Sequence, residues 1–307
     1  MSVFWIKLIA AISMLIDHVG MILFPDVLWM RIVGRLALPL YALCIAEGFR
    51  HTRNRLAYFL RIFVLGAICQ VAYLFVSEHL YLGILITFSV SIVLLFFLDA
   101  LLCACRHEKN PAHSLLQKIF KKALPGGVVI ALCALCFGAA LAGAVALTVF
   151  VDVDYGLTGI LFPVLVYLGG SSRIGKLCGA SAGTVLLACN LEHSPTPRIW
   201  SLLALIPLAL YNGKPGKYKL KYFFYVFYPV HLLLLYGIKI FIEVFIKYIY
   251  SNISRRMLSG GTGLPSAASQ SGAATFTSFL PGTSTFHERG SVWEMFHTTT
   301  AVLPSAS

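Results

Sequence analysis

Apolar residues fill the first 250 positions in long blocks, broken at intervals by short clusters of charge, proline and glycine. The blocks lack both the strict alternation of a half-buried strand and the one-sided stripe of a helix on a water-soluble core. A helix needs about 20 mostly apolar residues to cross a bilayer. Nine blocks are candidate spans, some of them shorter than that: Val3–Phe24, Leu28–Phe49, Leu56–Val76, Leu80–Cys103, Gly127–Val151, Leu157–Gly170, Leu177–Asn190, Ile199–Tyr211 and Tyr222–Ile240. The sequence therefore predicts an all-α polytopic integral membrane protein with about nine transmembrane helices, eight and ten being the neighbouring counts. The first block has neither a basic start nor an Ala-x-Ala-like exit, so it reads as a span rather than a cleaved signal peptide.

From Ser251 onward the pattern stops. Ser, Gly, Thr, Ala and Pro dominate, and no apolar period is sustained. Such a segment cannot bury enough apolar surface to offset its ordering entropy. Two regions are expected: a membrane domain over 1–250 and a disordered tail over 251–307.

Composition agrees with this reading. Hydrophobic residues make up 59% of the 307 residues and charged residues 12%, against roughly 45–50% and 25% in soluble domains. An ordinary soluble enzyme, a disordered chain and a nucleic-acid binder are excluded as descriptions of the whole. The net charge of +12 sits largely in alternate loops, where it marks orientation. Arg50, Arg53, Arg55 and Arg61 follow the second block. Arg106, Lys109, Lys118, Lys121 and Lys122 follow the fourth, Arg173 and Lys176 the sixth, and Lys214, Lys217, Lys219 and Lys221 the eighth. The intervening loops carry Asp26, Glu78, Asp152, Asp154 and Glu192 instead. The positive-inside rule places the N-terminus and the basic loops in the cytoplasm of a cell (inner or plasma) membrane protein. An odd count leaves the C-terminus outside, yet Lys239, Lys247, Arg255 and Arg256 cluster there. Either a tenth segment returns or the last helix runs on. Cys133-x-x-Cys136 lies in an apolar block without a second ligand pair and reads as small filler, so no metal is expected.

Ionisable groups inside apolar blocks are costly in hydrocarbon and point to function. Asp17 and His18 stand together in the first block; being adjacent, they project about 100° apart on a helix. His18 is the candidate general base, with Asp17 tuning it or holding a neighbour. A nearby carboxylate would raise the basicity of the imidazole. Arg31 and Arg35 share a helical face that suits a phosphate or carboxylate. Arg31 also fits a snorkelling role at the interface. Pro39 should bend that helix. Asp154, in Asp152-Val153-Asp154-Tyr155-Gly156, is either an exposed loop acid or a cap and site residue. In the last block Lys221, Tyr225, Tyr228 and His231 fall on one broad face, with Pro229 freeing the carbonyl of Tyr225. The tyrosines also suit an aromatic belt, but His231 is too deep for one.

These pieces together resemble the TraX family of conjugal-transfer membrane proteins. The match runs from Ile16-Asp17-His18 through Gly34-Arg35-x-x-x-Pro39-Leu40-Tyr41-Ala42, Glu47-Gly48 and Thr52. It continues with Leu85-Ile86-Thr87-Phe88, Asp154-Tyr155-Gly156-x-x-Gly159 and Asn212-Gly213. It closes on Lys221-Tyr222-x-Phe224-Tyr225-x-Phe227-Tyr228-Pro229-x-His231. One departure is Leu82-Gly83-Ile84, where family members often carry an Asn. The resemblance implies a membrane acyltransferase, distantly like the larger acyltransferase-3 enzymes, with acetyl-CoA as donor. It associates the family with acetylation of a pilin N-terminus; for this chain the acceptor, protein or glycan, stays open. On this reading His18, Asp17, His231 and Tyr228 are catalytic, and Arg35, Lys221, Asp154 and Tyr225 bind substrate. The partners are acyl-CoA, its acceptor and membrane lipids. A secondary transporter or channel and a non-catalytic subunit of a conjugation or secretion machine are the alternatives. The first would move solute without an acyl donor. The second would tolerate alanine at Asp17, His18 and His231.

Overall fold

The computed structural model describes residues 1–74, 80–106, 125–189, 198–214, 216 and 221–259. The charges at 78, 109, 118, 121, 122, 192, 217 and 219, and the tail beyond 259, lie outside the described residues. Each expected apolar block has a helical counterpart. They are α1 (Val3–Ile22), α2 (Leu28–Gly34) with α3 (Ala37–His51), α4 (Arg55–Leu74), α5 (Ile84–Cys105), α6 (Gly126–Phe150), α7 (Gly156–Leu168) and α8 (Arg173–Ala188). A 3₁₀ segment (Arg198–Ala204) runs into α9 (Leu205–Ala209), and α10 spans Lys221–Ser259.

Six of these are long and apolar enough to cross a membrane: α1, α2–α3 as one 24-residue unit, α4, α5, α6 and Phe223–Ser254 of α10. The count of nine full-length spans is not met, because α7, α8 and the 198–209 segment are shorter. Thirteen residues in α7 rise only about 20 Å, against a hydrocarbon core of roughly 30 Å. Hydropathy registers burial in protein and burial in lipid alike, and α7 is buried in protein: Ile160, Phe162 and Val166 are inaccessible. It packs against α3, α5 and α8. Close approach to α8 comes from Gly179 and Gly183, where a Cβ would lie 2.3 Å from the Leu165 carbonyl and 2.4 Å from the Phe162 ring. Small residues at four-residue spacing let membrane helices pack this way. By contrast, α4 and α6 expose Leu56, Val64, Ile68, Leu135, Val149 and Phe150. Apolar surface of that extent suits lipid rather than water.

The residues divide into two compact units, 1–233 and 234–307. The second begins within α10 and is helical to Ser259, so the expected start of the tail at Ser251 falls inside a helix. In the first unit, α1 packs on α2 and α3, α4 on α5, and α5 on α6. Cys133 sits with Ala100 and Val129 as apolar filler.

The α2–α3 break falls at Arg35 and Leu36. Pro39, in the first turn of α3, has no N–H to donate to the Arg35 carbonyl, so the helix cannot run straight through. The interruption expected near Pro39 is thus local: Arg35 and Leu36 keep right-handed helical dihedrals.

Alternate loops gather at the same end of the first unit. Tyr81–Leu82 (β1) and Asp152–Val153 (β2) form a two-stranded parallel ribbon, with Tyr81 opposite Asp152. At the other end Val3 N–H donates to the Lys214 carbonyl and Asn212 N–H to that of Met1.

Candidate functional site

Four elements bring polar side chains together beside the β1–β2 ribbon. From α1, Asp17 Oδ2 pairs with Arg31 of α2 at 2.8 Å. Arg31 therefore has a carboxylate partner rather than acting only as an interfacial anchor. Asp17 fits because residue 34 is glycine: a Cβ at Gly34 would stand 2.0 Å from Asp17 Oδ1. That Oδ1 is buried and has no hydrogen-bond partner among the described residues.

His18 turns elsewhere. Its Nδ1 lies 2.8 Å from Nε2 of His231 on α10, and the other nitrogen of His231 lies 2.7 Å from the Phe227 carbonyl. The His231 ring stacks on Phe227, centroids 4.8 Å apart, and meets Tyr228 edge to face at 5.7 Å. The expectation that Asp17 supports His18 directly is not met. Adjacent helical residues diverge by about 100°, so the carboxylate finds an arginine and the imidazole finds a second imidazole.

Arg35, 6% exposed, donates a long hydrogen bond to the Tyr155 hydroxyl at 3.5 Å. Tyr155 holds φ of 58° and Gly156 φ of 52°. Two successive left-handed residues reverse the chain from β2 into α7. A tyrosine in that region is strained and persists only where its surroundings hold it. Arg35 does so from one side, and Arg198, 5.5 Å from the ring centroid, from another. Asp154 accepts from the Tyr81 hydroxyl at 2.8 Å, and its carbonyl accepts from Thr87 at 3.1 Å. Asp154 is thus bonded rather than a free exposed acid, and it is not a cap: Tyr155 holds the N-cap position of α7, with no side-chain cap hydrogen bond.

Loss of water raises the Asp154 carboxyl to about 6, although the Tyr81 hydroxyl and the charge of Arg35 pull it down. Burial likewise raises the Tyr81 and Tyr155 phenols above their ordinary range. A carboxyl raised in the folded state binds its proton more tightly there than in the unfolded chain. Its contribution to stability is full below the unfolded value of 3.8 and is lost as pH rises through about 6. Asp154→Asn should flatten that part of the profile. Thermal unfolding of both proteins in detergent from about pH 4 to pH 7 reads the difference; parallel curves would contradict the assignment.

Asp17, His18, Arg35, Tyr228, His231 and Asp154 thus share one region. Tyr225 does not join it: it packs against the apolar core. The side chain of Lys221 lies outside the described residues. Tyr81 and Arg198 are additional members. Tyr81 gave no signal beyond an aromatic at the head of a block, and Arg198 none beyond a lone cation before one.

A second polar network occupies the end that gathers the basic loops. Glu47 of α3, 3% exposed, accepts from Arg50 at 2.9 Å, Lys176 at 2.8 Å and Tyr211 at 2.8 Å. Asp99 of α5 accepts from Arg55 and Tyr167. Arg50 also donates to the Tyr167 carbonyl at 3.0 Å. Residues read from sequence as orientation charges are here buried partners of carboxylates.

The fold is that of a helical membrane protein with paired histidines and arginines held inside it. The model of the TraX protein family matches residues 2–239, and the chain belongs to that family. It is similar to a probable fimbrial assembly protein FimC, serogroup H1, from Dichelobacter nodosus: 28% identical over 261 residues, covering 79% of this chain and 97% of the relative. An uncharacterized protein of Rickettsia prowazekii (strain Madrid E) is 36% identical over 66 residues, 22% of this chain and 25% of that one. No solved structure matches the chain.

Proposed function

We propose that this protein is a membrane acyltransferase, moving an acetyl or similar acyl group from acyl-CoA to an amine or hydroxyl acceptor in support of fimbrial or pilus assembly. The observation that carries the reading is the His18–His231 pair, set in the same polar region as Arg31 and Arg35. An imidazole is the side chain suited to take a proton near neutral pH. In the step envisaged, the histidine base removes the acceptor's proton as its nitrogen or oxygen attacks the thioester carbonyl. The C–S bond breaks, and the CoA thiolate leaves with the proton returned by the imidazolium. The arginines stabilise the oxyanion that forms on the way. Transfer in this step is direct, with no covalent acyl-enzyme.

The donor side of the reading rests on charge. Arg173 and Lys176 line a small surface crevice at the basic end, and cations suit the phosphates of CoA. With the N-terminus and basic loops cytoplasmic, the histidine region lies towards the external end, where a fimbrial subunit would be met. The relative's description as a fimbrial assembly protein supports that class of acceptor.

The test is transfer of label from acetyl-CoA to a fimbrial subunit by the purified full chain, with mass spectrometry locating the acyl group. Solute uptake into vesicles without an acyl donor would favour the transporter reading instead. Topology is tested separately by a single cysteine at position 53 in a cysteine-free background. It should resist membrane-impermeant reagents in intact cells; labelling from outside would reverse the orientation.

A further inference from the structure

The hydrogen-bond chain through the two histidines specifies more than their proximity. A carbonyl oxygen can only accept, so the His231 nitrogen 2.7 Å from the Phe227 carbonyl is a donor: Nδ1 carries the proton. In a neutral imidazole the other nitrogen is then a bare acceptor. That nitrogen, Nε2, lies 2.8 Å from Nδ1 of His18. Two lone pairs cannot face each other at that distance, so His18 Nδ1 supplies the proton. By the same rule His18 Nε2 is left unprotonated. The reverse arrangement would set the Nδ1 lone pair of His231 against the carbonyl lone pairs.

Resting on the acyl-transfer reading, the geometry points to a fixed order in this pair: Nε2 of His18 is the basic atom, and His231 is a positioning residue that holds His18 in the required tautomer. Burial agrees with the order. His231 is 4% exposed, as an orienting group should be, whereas His18 as a residue is half-buried. The arrangement also serves the charged state. When His18 Nε2 takes the acceptor's proton, Nδ1–H of the imidazolium already points at the lone pair of His231, and His231 in turn leans on a backbone dipole. A second group that orients a catalytic imidazole through its far nitrogen is a recurring device, with carboxylates or carbonyls in that place. Here a histidine takes the position that Asp17, held by Arg31, does not fill.

Two measurements on the purified full chain test the order. The first is ¹⁵N NMR of histidine-labelled protein in detergent, with His18 and His231 assigned by the signals lost in His18→Asn and His231→Asn. Protonated Nδ1 and bare Nε2 are expected for both rings in the neutral state; a proton on Nε2 of His18 would overturn the proposal. The second compares two substitutions. His231→Gln keeps an acceptor oxygen near His18 Nδ1 but loses the ring. His231→Phe keeps the ring stacked on Phe227 but loses the acceptor. The order proposed here requires the Gln variant to retain most of the turnover at saturating donor and the Phe variant to lose about 10²-fold in kcat with KM little changed. A merely structural role predicts the opposite ranking, and that ranking would overturn the proposal. Expected NMR tautomers, with no acyl turnover from any tested donor even in the unaltered protein, would leave the order of the pair standing and remove the acyltransferase reading.

Discussion

His18→Ala is expected to reduce acyl turnover by about 10²-fold or more, the range associated with loss of a general base, while donor affinity stays near that of the unaltered protein. The ring contacts His231 and the residue is half-buried, so its removal opens a gap at the site rather than in the core. Donor phosphates, in the proposed reading, are met by cations elsewhere. Arg35→Ala is the companion variant. Arg35 is buried at the α2–α3 junction and bonded to the strained Tyr155 turn, so its loss should lower turnover through missing transition-state stabilisation. Initial rates against donor concentration, with donor binding measured separately, check both. Near-normal turnover in a well-folded His18→Ala protein would take His18 out of the mechanism and pass the role to His231.

Among the described residues hydropathy located each helical segment, though not the end of α10, because lipid and protein interiors both select apolar residues. For the same reason it could not tell that α7 is wrapped by α3, α5 and α8 rather than by lipid. Charge alternation anticipated which loops share an end, and the β1–β2 ribbon and the Met1–Asn212 contact keep to that grouping.

The candidate site was legible as a set of costly side chains, but not as a set of contacts. His18 and His231 are 213 positions apart; nothing in spacing joins them, although depth in an apolar block marked both. Sequence leaves Asp17 tuning His18 or holding a neighbour; helical geometry sends the adjacent side chains apart, and the carboxylate holds Arg31. Arg31 had an ordinary explanation as an interfacial anchor, and its carboxylate partner lies on another helix. The Glu47 network was hidden more completely. Its cations, which the sequence groups with the basic loops, stand on α3 and α8; orientation already accounted for them, so nothing called for buried partners.

That network carries the largest stability effect expected. Glu47→Ala should lower the unfolding free energy by about 3–5 kcal/mol, the scale on which removing one member of a buried ion pair acts. The carboxylate gathers Arg50 from its own helix, Lys176 from α8 and Tyr211 from the segment after α9. Without it the Lys176 ammonium, 9% exposed in its side chain, keeps its burial and loses its counter-charge, which is the costly half of the change. Glu47→Gln should fall between the two, because an amide oxygen still accepts from the Tyr211 hydroxyl while the charge is gone. Arg53→Ala, at an exposed position of the following loop, serves as the control and should shift stability by less than about 0.5 kcal/mol. Denaturant unfolding in a single detergent, followed by tryptophan fluorescence, ranks the variants. If Glu47→Ala unfolds at the same midpoint as Arg53→Ala, the carboxylate is not the clamp between α3 and α8, and the packing of glycines 179 and 183 on α7 must hold that end of the protein instead.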